Sequence, residues 1–184
     1  MCARRNSSSR TGVPIPVKPL SVLPKLLAGL AFSTLAGCTH DFIPNTQVED
    51  SDFNRQVIGY CEDYRRAVER RNIPALLKMA DAKYYEDGGT IDTSDDLDLA
   101  GLQAYLNENF KKTTQIRYEI FYRDISFGRA NQVYVDYTYS ASYKVPVPTP
   151  PGETPSPDVW RRRVADNRLE LVRDGEKFRI LAGM

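Results

Sequence analysis

The sequence predicts an α+β domain in which a curved antiparallel sheet wraps around N-terminal helices, preceded by a cleaved export segment. Three observations predict it. From Phe53 to Phe110 the apolar residues recur at steps of three and four; from Ile116 the period switches to two and persists to Ala182, broken only by turn residues and one proline-rich loop. Residues 26–35 form a short apolar run behind five basic residues and no acid. Helices first and strands afterwards point to separate layers rather than a parallel weave of strand and helix.

The N-terminal segment comes first. Ten residues, interrupted only by Ser33 and Thr34, cannot cross a bilayer core that needs roughly 20, but they match the central region of a signal peptide, with Arg4, Arg5, Arg10, Lys18 and Lys25 as its positive start. The run ends at Leu35-Ala36-Gly37-Cys38. These four residues resemble the lipobox of bacterial lipoproteins, which implies cleavage after Gly37 and acylation of Cys38, several acyl chains anchoring stably where one would exchange. The start region is long and carries Pro14, Pro16, Pro19 and Pro24, so a start downstream of Met1 is expected. Thr39, which is not aspartate, implies sorting to the outer membrane by resemblance to enterobacterial lipoproteins.

The expected organisation is therefore a signal peptide over 1–37, a lipidated N-terminus and tether over 38–50, and one domain over 51–184. The tether reading rests on Pro44, Asn45 and three acids without periodicity. A first helix follows Ser51 or Asp52 as cap, with Phe53, Val57, Tyr60, Cys61, Tyr64 and Val68 inward and Arg65, Arg66, Glu69 and Arg70 outward. Asn72, with Pro74 in the first turn, starts a second short helix. A brief extended piece, 83–86, ends at Gly88-Gly89, and Asp96 or Asp98 caps a third helix carrying Leu99, Leu102, Tyr105, Leu106 and Phe110 on one side.

Alternation then sets Ile116, Tyr118, Ile120 and Tyr122 on one strand. After a turn at 128–131, Val133 to Val145 form a second, long enough to bend or bulge. The loop from Pro146 to Pro157 holds six prolines and few large apolar groups. Strands resume over 160–172 and, past a turn at Asp174-Gly175, over 178–182.

Composition narrows the function classes. The whole chain has 25 basic and 24 acidic residues; without residues 1–37 there are 20 bases against 24 acids, a net charge of −4 that gives no footprint for nucleic acid. Only Cys61 remains besides Cys2 and Cys38, so no disulfide staples the domain, and Cys61 reads as a small buried hydrophobe. His40 is the sole histidine and adjoins the anchor, which removes histidine catalysis and a histidine metal site from the domain. The acids Asp92, Asp95, Asp96 and Asp98 do not make a calcium loop: counted from Asp96, the fifth position is Ala100 and the twelfth Asn107. Alternation splits Arg161, Arg162 and Arg163 between both strand faces, so they read as solvated rather than as a phosphate patch.

The segment 64–87, the helix stretch Gly101-Leu102-Gln103-Ala104-Tyr105-Leu106, and the closing pair 167–171 with 178–180 resemble the nuclear transport factor 2-like superfamily. The resemblance implies a cone of four to six strands with a pocket between sheet and helices. Its ketosteroid isomerase branch implies an oxyanion-donating tyrosine at Tyr64 and a general-base carboxylate at Asp87, within Glu86-Asp87-Gly88. Gly88 replaces the branch's proline, and its third residue, a protonated aspartate on a late strand, has only Asp166 or Glu170 nearby.

All eleven tyrosines follow Cys38, and tyrosine suits a pocket wall as well as a half-buried sheet. The expected pocket lining is Tyr60, Tyr64, Tyr105, Tyr118, Tyr137 and Trp160. The leading expectation is a lipid-anchored envelope protein with a non-catalytic binding or assembly domain; the alternative is a small isomerase or dehydratase using Asp87 and Tyr64. Expected partners are the membrane through Cys38, a small apolar ligand or an envelope protein, and a second copy in a homodimer, with no nucleic acid, metal or cofactor.

Overall fold

The computed structural model describes residues 41–89, 91–154 and 156–184; the export segment 1–37, the acylation candidate Cys38, Thr39 and His40 lie outside the described residues. Helix α1 (Asp52–Glu69) starts where the Ser51 hydroxyl accepts the Asn54 N–H at 3.1 Å, satisfying a donor that the first turn leaves free. Its inward stripe buries Val57, Cys61, Tyr64 and Ala67. Helix α2 (Ile73–Met79) is capped by Asn72, which accepts from the Ala75 N–H. Short strands β1 (Tyr85–Glu86) and β2 (Leu97–Asp98) pair antiparallel around a 3-10 turn at 93–95. Asp98 then caps α3 (Leu99–Lys111) through the Gly101 N–H at 2.7 Å, which decides between the two candidate caps.

Strands β3 (Gln115–Phe127), β4 (Gln132–Val145), β5 (Val159–Asp174) and β6 (Lys177–Ala182) form one antiparallel sheet in chain order. The β4–β5 register runs unbroken from Gln132 opposite Val172 to Val145 opposite Val159. The expected irregularity lies in the preceding strand instead, where Arg123 is the extra residue between Tyr122 and Asp124. A further shift lies between Glu170 and Leu171 on β5.

The helices cover the concave face. Tyr137, Leu76, Leu102, Leu169, Leu171 and Ile180 are fully buried there, and each such side chain contributes roughly 1.5–3 kcal/mol. Among the described residues, the buried core runs from Val48 to Ile180.

Gly183 shows how tightly the C-terminus is seated. At φ +91° it takes a conformation that side chains resist, and a Cβ there would lie 1.9 Å from the Arg168 carbonyl oxygen. Its N–H donates to the Glu86 carboxylate.

Two expectations give way. Residues 41–50 are no free tether: Phe42 bridges Glu49, the Gln47 N–H donates to the Tyr122 carbonyl at 3.0 Å, and Val48 is buried. Val48 and Ile43 pack against the core, and Asn54 and Arg55 of α1 bond to Glu49 and Asp50, which docks a segment whose composition reads as loop. The outer stripe of α1 is also not all solvated. Arg65 donates to Glu62 at 2.7 Å and to Glu69 at 2.8 Å, while Glu69 accepts the Tyr118 N–H and Arg65 donates to the Tyr118 carbonyl. Strand β3 is a sheet edge whose free backbone groups need partners, and the charged stripe supplies them.

Candidate functional site

A cleft of about 400 Å³ opens between α3 and the concave face of β3 and β4. The α3 periodicity points Tyr105, Leu106, Asn109 and Phe110 into it, and alternation brings Ile116, Tyr118, Tyr139, Ala141 and Tyr143 in from the sheet. The register sets Tyr118 beside Ala141 and Ala141 beside Arg163, so one row crosses three strands at the cleft. None of the fourteen lining residues is an Asp, Glu, His or Cys.

The floor of the cleft belongs to a buried phenol cluster. Tyr118 meets Tyr139 at 5.5 Å between ring centroids and Tyr64 edge-on at 6.3 Å. The Tyr64 and Tyr137 hydroxyls lie next to that of Tyr118, so the three phenols share one buried polar layer. Asn167 donates to Tyr137 at 3.1 Å and to the Gly183 carbonyl at 3.1 Å. Burial raises the Tyr118 hydroxyl to about 12 and pushes Tyr64 and Tyr137 well above the ordinary phenol range, so all three stay protonated.

The six expected lining residues divide. Tyr105 and Tyr118 line the cleft. Tyr64 and Tyr137 are buried beneath it, because their positions on α1 and β4 face the layer between helix and sheet rather than its mouth. Tyr60 lines a different groove of about 600 Å³ bounded by Lys78, Met79, Phe178 and Arg179, and its hydroxyl donates to the Met79 carbonyl. Trp160 is on the convex face, opposite Lys144 in the β4–β5 register, with the Arg117 guanidinium 4.9 Å above its ring. The strand begins one residue earlier than expected, at Val159, and Trp160 takes the outward phase.

Asp87 does not join Tyr64. It is exposed in the turn after β1, where its carboxylate accepts the Gly89 N–H at 3.0 Å. Its neighbour Glu86 turns inward instead, and that carboxylate is engaged by Gly183. On β5 the concave position belongs to Asn167, opposite Tyr137, and neither Asp166 nor Glu170 shares it. Among the described residues no three His, Cys, Asp or Glu side chains gather as a metal group. Cys61 is buried, and burial pushes its thiol well above the ordinary range.

The residues missed in the sequence are Tyr139, Tyr143, Phe110 and Arg163. Tyr139 and Tyr143 share the period-two phase of Tyr137, which was signal enough to find them. Arg163 was hidden inside a basic triplet whose two faces are equivalent in sequence.

No family model matches the chain, and no curated protein matches it. Solved structures do. A member of the nuclear transport factor 2-like (NTF2-like) family from Streptomyces avermitilis superposes with a TM-score of 0.55 at 12% identity, over 71% of this chain and 92% of its own. A ketosteroid isomerase-like protein from Erwinia carotovora atroseptica gives 0.53 at 12% identity, over 73% and 95%. ActVI-ORFA from Streptomyces coelicolor gives 0.54 at 10% identity, over 71% and 94%. Helices followed by a curved four-stranded antiparallel sheet, with the cleft between them, are thus the fold this chain shares with nuclear transport factor 2-like proteins.

Proposed function

We propose that this protein is a lipid-anchored envelope protein, held at the outer membrane through Cys38, whose domain binds a small apolar ligand in the α3–sheet cleft without transforming it. The observation that carries the reading is the cleft wall: five aromatic rings and several aliphatic groups, with no carboxylate, histidine or thiol to move a proton or attack a bond. The Leu35-Ala36-Gly37-Cys38 motif supports the anchor. An isomerase or dehydratase of ketosteroid isomerase type would need a base in that cleft, and Asp87 is committed to its own turn.

The test is a fluorescence titration of residues 39–184, which contain every core residue among those described, with N-phenyl-1-naphthylamine, a neutral probe that brightens in apolar surroundings. Saturable binding that Ala141→Trp abolishes is expected, since the indole would fill the wall opposite Tyr118. Non-saturable binding, or binding that Ala141→Trp leaves intact, would overturn the reading. So would turnover of a 5-ene-3-ketosteroid that Asp87→Asn removes. For the anchor, radiolabelled palmitate should enter the full chain and not its Cys38→Ala variant.

A further inference from the structure

We propose, resting on the binding reading above, that the ligand is an amphipathic anion: an aromatic body lying among the tyrosines with an acidic group seated at Arg163. Three observations converge on that chemistry. The first is the wall itself, where Tyr105, Phe110, Tyr118, Tyr139 and Tyr143 present ring faces and edges suited to a flat apolar body.

The second is the charge at the rim. The register puts Arg163 on the concave face beside Ala141, and it lines the cleft. Among the described residues no carboxylate pairs with it, as is true of several arginines of this domain, but Arg163 alone of them lines the cleft. Arg161, two residues along the same face, extends the positive rim. The other cation of the wall, Lys112, is taken by Glu108 at 2.6 Å. Asp158, the nearest acid in sequence at this end of β5, accepts from the Thr114 hydroxyl at 2.9 Å and is not part of the wall. A planar guanidinium without a partner, at the mouth of an apolar cleft in a net-acidic domain, matches a carboxylate or sulfonate.

The third is a neutral donor at the floor: Tyr118 lines the cleft, and burial raises its hydroxyl to about 12, so it keeps its proton for a polar group on the ligand. The α3 C-terminus opposes an anion through its carbonyl dipoles, but the Thr113 hydroxyl contacts the Asn109 and Phe110 carbonyls there.

The experiment compares two probes that share one aromatic body, 8-anilinonaphthalene-1-sulfonate and the neutral N-phenyl-1-naphthylamine, on residues 39–184. Arg163→Gln should weaken the sulfonate about fivefold, the scale of one exposed ion pair, and leave the neutral probe within error. Arg162→Gln makes the same change in net charge on the convex face, where Arg162 Nε lies 3.2 Å from the Ser140 hydroxyl, and should change neither. In about 1 M salt, where screening acts within roughly 3 Å, the Arg163 effect should collapse.

Equal losses from Arg163→Gln and Arg162→Gln, or no loss from Arg163→Gln, would overturn the anion proposal while neutral-probe binding left the binding reading standing. Failure of both probes to bind saturably would sink the binding reading itself. Arg163 is exposed, so its replacement leaves the core untouched.

Discussion

The Asn167 side-chain amide donates to the Tyr137 hydroxyl at 3.1 Å, joining the last long strand to the phenol cluster beneath the cleft. The same amide nitrogen holds the Gly183 carbonyl, so one side chain ties the cleft floor to the C-terminus. Tyr137 is fully buried and has little access to water as a substitute partner.

Asn167→Leu should therefore cost about 2 kcal/mol, the scale of leaving buried polar groups unpaired. Urea unfolding should show a lower midpoint with an unchanged slope. Tyr137→Phe added to Asn167→Leu should cost less than Tyr137→Phe alone, because the first change has already removed the amide that the hydroxyl accepts from. Additive losses would mean that the two residues are not coupled.

Gly183→Ala should cost about 3 kcal/mol or more, since the new methyl meets the Arg168 carbonyl oxygen, and backbone cannot swing aside as a side chain can. Thermal unfolding is the direct measurement. A fall in Tm of only a degree or two would show that the last residues lift away from β5 at little cost.

Asp136 and Arg168 form a two-pronged pair on the convex face, with both contacts at 2.8 Å, and the guanidinium holds the Asp136 carboxyl below its usual range. A carboxyl lowered in the folded state stabilises the fold above the ordinary carboxylate range and loses that contribution as pH falls through its folded value. Arg168 is half exposed, so solvent screening limits the pair to about 0.5–1 kcal/mol. Asp136→Asn should be less stable than the parent by that amount at pH 7. Once pH falls below the lowered folded-state value of Asp136, the two unfolding curves should converge. A gap that persists in acid would assign the loss to packing rather than charge.

Much of the architecture was legible before the fold. Ser51, Asn72 and Asp98 mark helix starts because a short side-chain oxygen satisfies the first-turn amides wherever the chain goes next. The switch of period at Ile116 announced the sheet for an equally local reason: a strand that buries one face must alternate.

The site was legible only in part. Tyr105 and Tyr118 could be named from phase, yet Tyr64 and Tyr137 share that phase and end up under the cleft, since depth depends on how far a helix overlaps the sheet. Asp87 and Glu86 are adjacent in sequence, and only the closure of β1 against the C-terminus decides that Glu86 turns inward while Asp87 faces water.

By itself, then, the sequence determined the order and type of the main elements, the Asn72 cap and the apolar phase of most helices and strands, because each depends on neighbours a few residues away. Tertiary structure decided which phenols meet, that Arg65 and Glu69 close the edge of β3, that residues 41–50 dock, and that Arg163 reaches the mouth of the cleft. Those outcomes depend on strand register and on helix position over the sheet, which bring together residues far apart in the chain.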